Sequence, residues 1–200
     1  MKAKAAKSGD TRQRILEAGL ALFSKKGYLG AATKEIAAEA GVAEVTLFRH
    51  FPSKESLLEA VVGTYSFLPT LKGLMGEIEG LPYKEALSEI AGRFLNALSE
   101  RKEMIVIMYS EIHRYPAKTR LIYHNFIDEM FTTLASYFSG LQDRGILRRF
   151  EPEAGARAFL GMFFSYFTAQ EFKLRKRLGR KESEALHKEF IEIFMRGTLK

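Results

Sequence analysis

Residues 41–51, GVAEVTLFRHF, interleave apolar side chains with groups that hydrogen-bond: Glu44, Thr46, Arg49 and His50. The stretch opens on glycine and carries Val42, Leu47 and Phe51 at i, i+5 and i+9. One side of a short helix can therefore pack on its neighbours, leaving the polar groups on the other side. The preceding AATKEIAAEA puts Ile36, Ala37 and Ala40 on an inward face, with Thr33 as the expected cap and Gly41 as the expected stop. Helix, three-residue turn over 41–43 and second helix is helix-turn-helix spacing. In that unit the second helix enters a major groove and its short polar groups meet base edges and phosphates.

The remaining chemistry-bearing residues form no comparable pattern. There is no cysteine, which excludes a disulfide framework, a thiolate metal site and a thiol nucleophile. No GxSxG elbow, phosphate-binding glycine loop or HExxH pair occurs. Glu111, His113 and His124 flank Pro116, too few partners for a metal centre, and surface or hydrogen-bonded histidines are the default. No metal, no cofactor and no catalytic residue is expected. A rival reading is a small helical enzyme working through Glu111 and His113; it predicts that substitution at Arg49 leaves activity intact.

The 200 residues are 46% apolar, enough for a real core, and carry a formal charge of +7. More than half of that excess lies in residues 1–14, where Lys2, Lys4, Lys7, Arg12 and Arg14 face Asp10 alone. Such an arm could meet nucleic acid or an acidic surface, or be only a solvated tail. The N-terminal apolar stretch is too short and too charged for a secretory signal. No uncharged run approaches the ~18 residues of a membrane span, so a soluble, cytoplasmic chain is expected.

Helical periodicity recurs nearly everywhere. The spacing predicts helices from the Asp10/Thr11 cap to Gly27, over 33–40, 43–51 and 53–67, then over 83–99, 103–115, 117–143, 153–178 and 183–197. Between Pro69 and Pro82, Gly73, Gly76 and Gly80 predict an irregular connection. Residues 159–172, FLGMFFSYFTAQEF, hold six aromatics in an arc of roughly 160°, wider than one packing neighbour covers.

Residues 31–62, AATKEIAAEAGVAEVTLFRHFPSKESLLEAVV, together with Gly27 and Tyr28, resemble the DNA-binding signature of TetR-family transcriptional regulators. The likeness covers about residues 10–60; the rest resembles the family in architecture only. It implies an all-α fold: an arm and helix-turn-helix domain over 1–52, fused to a helical ligand-binding and dimerisation domain over 53–200, about nine helices in all. By position it implies DNA contacts from Thr33, Glu44, Val45, Thr46, Phe48, Arg49, His50 and Lys54, with Thr33 and Lys54 at helix N-termini suited to phosphate.

Ala43, Glu44 and Phe48 depart from the family, which commonly has Ser or Thr, Lys, and Tyr there. Phe48 loses a phosphate-bonding hydroxyl and keeps van der Waals contact with sugar or a thymine methyl. Glu44 either accepts from cytosine N4 or pairs structurally with a base such as Lys34. Arg49 is suited to guanine or to phosphate, and the arm to a minor groove or flanking phosphates.

The resemblance also implies a homodimer through the last two helices, with Leu186, Phe190 and Phe194 at the interface. It implies an apolar or aromatic effector bounded by Tyr65, Phe94, Met108, Tyr109, Phe126, Met130, Phe163 and Phe167, residues that ordinary core packing also explains. The expected function is a sequence-specific repressor released from a palindromic operator by that effector. The alternative is a nucleoid-associated or protein-regulated DNA-binding factor without a small-molecule inducer, and it predicts a filled core.

Overall fold

The structure is a computed structural model that describes residues 2–172 and 178–200, with side chains from residue 10 onward. Those residues form α1 (Lys2–Gly30), α2 (Thr33–Glu39), α3 (Glu44–His50), α4 (Lys54–Tyr65) and α5 (Phe67–Glu77). Then follow α6 (Tyr83–Glu100), α7 (Lys102–Glu111), a 3₁₀ turn (Ile112–Arg114), α8 (Ala117–Asp143), α9 (Pro152–Glu171) and α10 (Arg180–Thr198). The described residues contain no strand, only an isolated antiparallel bridge between Leu147 and Leu199. None of these helices is long and apolar enough to cross a membrane. The all-α expectation holds.

The chain divides into two compact units, residues 1–66 with 101–126, and residues 67–100 with 127–200. In the first, Ile15, Leu16 and Phe23 of α1, Ile36 of α2, Leu47 of α3 and Leu57, Leu58 and Val61 of α4 make one buried core. Met104 and Met108 of α7 pack against it half-buried. Gly19 lets α4 come close to α1, because a Cβ there would lie 3.2 Å from Val61 Cγ2. At Gly27 the backbone turns to φ +70°, ψ 173°, a region essentially reserved for glycine. The break expected at Gly27 is therefore present, although helical turns resume as far as Gly30.

In the second unit Phe138 of α8, Phe159 of α9 and Phe194 of α10 meet with ring centroids 5.0–6.5 Å apart. Phe163 continues the cluster to Phe190 at 5.6 Å. On the same unit Tyr83 and Thr198 share a buried hydrogen bond of 3.0 Å. Burial drives the Tyr83 phenol well above its usual range, with the Thr198 bond working the other way.

Four local expectations are corrected. The first helix begins at Lys2, not at Asp10. Its extra turns are rich in alanine and lysine, good helix formers that extend a helix anchored by buried Ile15 and Leu16. Residues 69–77, expected to be irregular, belong to a helix that starts at Phe67, and the preceding helix ends at Tyr65. Pro69 sits in the first turn, where its missing N–H costs nothing. Phe67, Leu68, Leu71 and Leu74 are buried, which outweighs roughly 1 kcal/mol for each internal glycine.

The helix that starts near 103 gives way after Glu111 to a 3₁₀ turn ahead of Pro116. The N-cap of α2 is Ala32, with Thr33 one position inside, and the Glu35 carboxylate accepts from the Ala32 N–H at 3.4 Å. For α9, regular helix ends at Glu171, and its expected extension through 173–177 lies outside the described residues.

Candidate nucleic-acid interface

The recognition unit is α2, the 40–43 turn and α3. Gly41 takes φ +65°, left-handed backbone that glycine adopts at no steric cost. The Gly41 N–H returns to the Ala38 carbonyl at 3.0 Å and the Val42 N–H to the Ala37 carbonyl at 2.9 Å. Arg14 of α1 closes the turn from outside, its Nη1 donating to the Ala40 carbonyl at 2.9 Å. A cation at the end of a helix also complements its dipole. Arg14 thus positions the turn, a role its place in the basic arm did not reveal. Arg12 stacks its guanidinium 5.1 Å from the Phe51 ring centroid. The side chains of Lys2, Lys4 and Lys7 lie outside the described residues.

Leu47 and Phe51 of this unit are buried and Val42 packs half-buried against the same core, as the i, i+5, i+9 spacing predicted. The opposite face of α3 presents Val45, 75% exposed, Phe48, 41% exposed, and Arg49, exposed. At 100° per residue these three span an arc of roughly 100°. Thr46 and His50 are half-buried on one flank and Glu44 on the other.

Glu44 is tied down: Thr33 Oγ1 donates to Glu44 Oε1 at 2.7 Å. The structural partner is therefore the hydroxyl at the start of α2, in place of the exposed Lys34. A threonine has a single O–H to give, so Thr33 cannot donate to a phosphate while it holds Glu44.

Lys54 opens α4 behind Ser53, whose Oγ accepts from the Ser56 N–H at 3.1 Å while Ser56 Oγ accepts from the Ser53 N–H at 3.0 Å. The Lys54 ammonium sits 4.5 Å from the Tyr28 ring centroid, and burial lowers its pKa from the ordinary lysine value. Tyr28 in turn donates to Glu55 Oε1 at 2.7 Å. Burial, reinforced by that carboxylate, pushes the Tyr28 phenol up to about 12, while the bond holds the Glu55 carboxyl below the usual carboxylate range. Tyr28, a motif residue whose spacing alone shows no role, fixes a cation at the mouth of α4. The Gly27–Tyr28 pair after the first helix was the available signal.

The candidate effector residues fall in two sets. Tyr65, Met108 and Phe126 are half-buried against the core of the first unit, and Tyr109 is 54% exposed. Tyr65 accepts from Gln13 Nε2 at 3.0 Å. Phe94, Met130, Phe163 and Phe167 are buried in the second unit, where Phe94 meets Phe67 at 5.0 Å and Phe163 meets Phe159 at 5.2 Å.

Of the three residues assigned to a dimer contact, Leu186 and Phe190 are half-buried, whereas Phe194 is spent inside its own unit against Phe138 and Phe159. Ile193, on the same helix, is 56% exposed. Glu111, His113 and His124 do not converge, and no group of three metal-ligating side chains occurs among the described residues. Glu111 instead accepts from the Tyr115 hydroxyl at 3.3 Å and lies against Gly27.

Comparison with known proteins places this arrangement. Residues 15–61 match the family model for bacterial regulatory proteins of the tetR family. Residues 85–197 match the model for the C-terminal domain of AefR-like transcriptional repressors. Over 190 residues the chain is 30% identical to YvkB of Bacillus subtilis, an uncharacterized HTH-type transcriptional regulator, covering 94% of this chain and 96% of that one.

Among solved structures it resembles a TetR-family transcriptional regulator of Mesorhizobium loti, with a TM-score of 0.79, 26% identity and coverage of 96% and 98%. A structure described as the molecular basis for control of antibiotic production by a bacterial hormone gives a TM-score of 0.69 at 26% identity, with coverage of 95% and 98%.

Proposed function

The chain belongs to the TetR family of bacterial regulatory proteins, DNA-binding transcriptional regulators and not enzymes, and on that premise we propose that it is a cytoplasmic repressor released from a palindromic operator by a small apolar or aromatic effector. The observation that carries the DNA half of this reading is the outward face of α3, Val45, Phe48 and Arg49, beside a cation fixed on Tyr28 at the start of α4. Thr46 and His50 flank that face within reach of base edges or backbone, and the basic N-terminal arm adds salt-dependent phosphate contact. The C-terminal match to AefR-like repressors supports the sign of regulation.

A homodimer supplies the palindrome. Leu186, Phe190 and the exposed Ile193 of α10 offer an apolar strip to a second copy, and a two-fold dimer sets two recognition helices about 34–36 Å apart or somewhat more. For the switch, an effector reaching Tyr65, Met108 and Phe126 displaces α4. Because α4 begins at Lys54, capped by Ser53 shortly after the recognition helix, its movement changes the spacing of the two readers. Taking occupancy from 99:1 to 1:99 requires the effector to discriminate between the two forms by about 5.5 kcal/mol. The similar structure described as the molecular basis for control of antibiotic production by a bacterial hormone supports this half of the reading.

Operator selection from random duplex DNA, repeated at two salt concentrations, tests the proposal. A recovered palindrome whose binding weakens steeply with salt, and is lost in Arg49→Ala, is the expected outcome. Footprints on that palindrome that stay unchanged across a panel of apolar compounds would remove the effector from the reading. Failure to enrich any sequence with folded dimer would remove the operator.

A further inference from the structure

We infer that the recognition helix selects its operator through thymine 5-methyl groups, with Val45 as the specificity-determining contact, Phe48 beside it, and a thymine opposite Val45 in each half-site. This rests on the operator-binding reading above and names what the operator must contain.

Three observations converge on it. First, Val45 is the most exposed of the large apolar residues on the chain's described surface, at 75%, and it stands at the centre of the face that α3 turns away from its core. It has no hydrogen-bonding group. The one apolar feature that bases present in the major groove is the thymine methyl, so that methyl is the only base-edge group Val45 can distinguish. Second, Phe48 is three residues on, hence on the same face, and is 41% exposed. Together they make an apolar strip, where burial against methyls is favourable and burial against unpaired donors or acceptors is not.

Third, the acid that could have read cytosine is restrained. Glu44 Oε1 is held by Thr33 Oγ1 at 2.7 Å, which turns the carboxylate toward α2 on the flank of the recognition face. Arg49 shares the outward face and makes no ion pair among the described residues. Its guanidinium is free for phosphate or guanine, so charge brings the helix to DNA while Val45 and Phe48 choose where it stops.

The test uses the duplex recovered by operator selection. Single thymines in each half-site are replaced by deoxyuridine, which removes the methyl and leaves O4, the pairing edge and the phosphates intact. Binding is measured by fluorescence anisotropy for the full chain, Val45→Ala and Phe48→Ala. At one thymine per half-site, affinity is expected to fall roughly fourfold per methyl and roughly fifteenfold for the symmetric pair. Val45→Ala is expected to bind the thymine and uracil duplexes alike.

Equal binding of the unaltered protein to every uracil duplex overturns the inference and leaves sequence-specific binding standing. A methyl effect that survives in Val45→Ala and disappears in Phe48→Ala overturns the assignment to Val45. A pool that enriches no sequence removes the operator reading, and this inference with it. Because Val45 is exposed and alanine favours helix, the Val45→Ala protein remains folded, which circular dichroism checks.

Discussion

Both compact units have a buried apolar core, but they differ in what fixes the parts that matter most. In the first, geometry depends on single contacts: Arg14 on the Ala40 carbonyl, Tyr28 on Glu55, Thr33 on Glu44, and left-handed glycines at 27 and 41. In the second, Phe138, Phe159, Phe163 and Phe194 share contacts around one cluster that Phe163 extends to Phe190, so that each of those four rings has more than one partner. A surface that must present a short helix at a fixed angle needs directional bonds, because apolar packing alone tolerates small rotations. A core needs volume, and several residues supply that interchangeably. The difference predicts that conservative changes are tolerated in the second unit and costly in the first.

The largest expected effect removes volume outright. Phe159 is fully buried, and Phe159→Ala is expected to cost about 3–5 kcal/mol in urea unfolding. Phe159→Leu keeps most of the volume and is expected to cost less than about 1.5 kcal/mol. If Leu and Ala prove equally damaging, the cluster is not the interchangeable core described above.

Gly27→Ala adds only a methyl, yet is expected to cost about 1–3 kcal/mol. The residue holds φ +70°, and its new Cβ would lie 2.3 Å from Glu111 Oε2 and 3.3 Å from Ile107 Cδ1. A companion Glu111→Ala change should recover only the steric part, since the backbone strain persists. Complete recovery would show that the glycine is there for space and not for conformation.

Legibility in the sequence followed the same division. The helix-turn-helix could be read because directional roles leave residue types at fixed spacing: Gly41 for the turn, Leu47 and Phe51 for the inner face, Ser53 for the cap. Aromatic spacing also showed that α9 is covered on more than one side. It does not say which ring meets which: Phe194, which the family resemblance places at an interface, packs on Phe138 and Phe159 of its own unit. The α5 helix was missed because Pro69, Gly73 and Gly76 signal locally, whereas the burial of Phe67, Leu68, Leu71 and Leu74 that overrides them is set by tertiary packing. The Thr33–Glu44 bond joins two helices, and no local pattern specifies a hydroxyl–carboxylate pair eleven residues apart.

Tyr28→Phe keeps the ring under Lys54 and deletes only the hydroxyl that donates to Glu55. A loss of about 1 kcal/mol is expected near neutral pH. Glu55 has a depressed carboxyl in the folded chain, so its stabilisation is present above the ordinary carboxylate range and is lost as pH falls through the lower folded value. Tyr28 has a raised phenol, about 12 against the ordinary 10.0. Its contribution is complete below pH 10 and disappears as pH rises toward 12. The difference between the two proteins is therefore expected to narrow at both ends of a pH series of denaturation curves. A constant difference would mean that the hydroxyl acts through packing and not through its bond to the carboxylate.

The smallest effect addresses the acid on the recognition helix. Glu44→Gln removes a negative charge from a surface that meets phosphates, and glutamine can still accept from Thr33, so the geometry of the α2–α3 junction is kept. Binding should tighten a few-fold at low salt, a gain that fades as ionic strength rises, while the selected operator sequence stays the same. Glu44→Ala goes one step further, because it also releases the Thr33 hydroxyl to donate to a phosphate. It should therefore bind at least as tightly as the glutamine variant if the α2–α3 junction holds. If operator selection with Glu44→Gln instead loses a cytosine preference, the carboxylate reads a base through its second oxygen, and the directional contact with Thr33 aims a specificity group rather than restraining one.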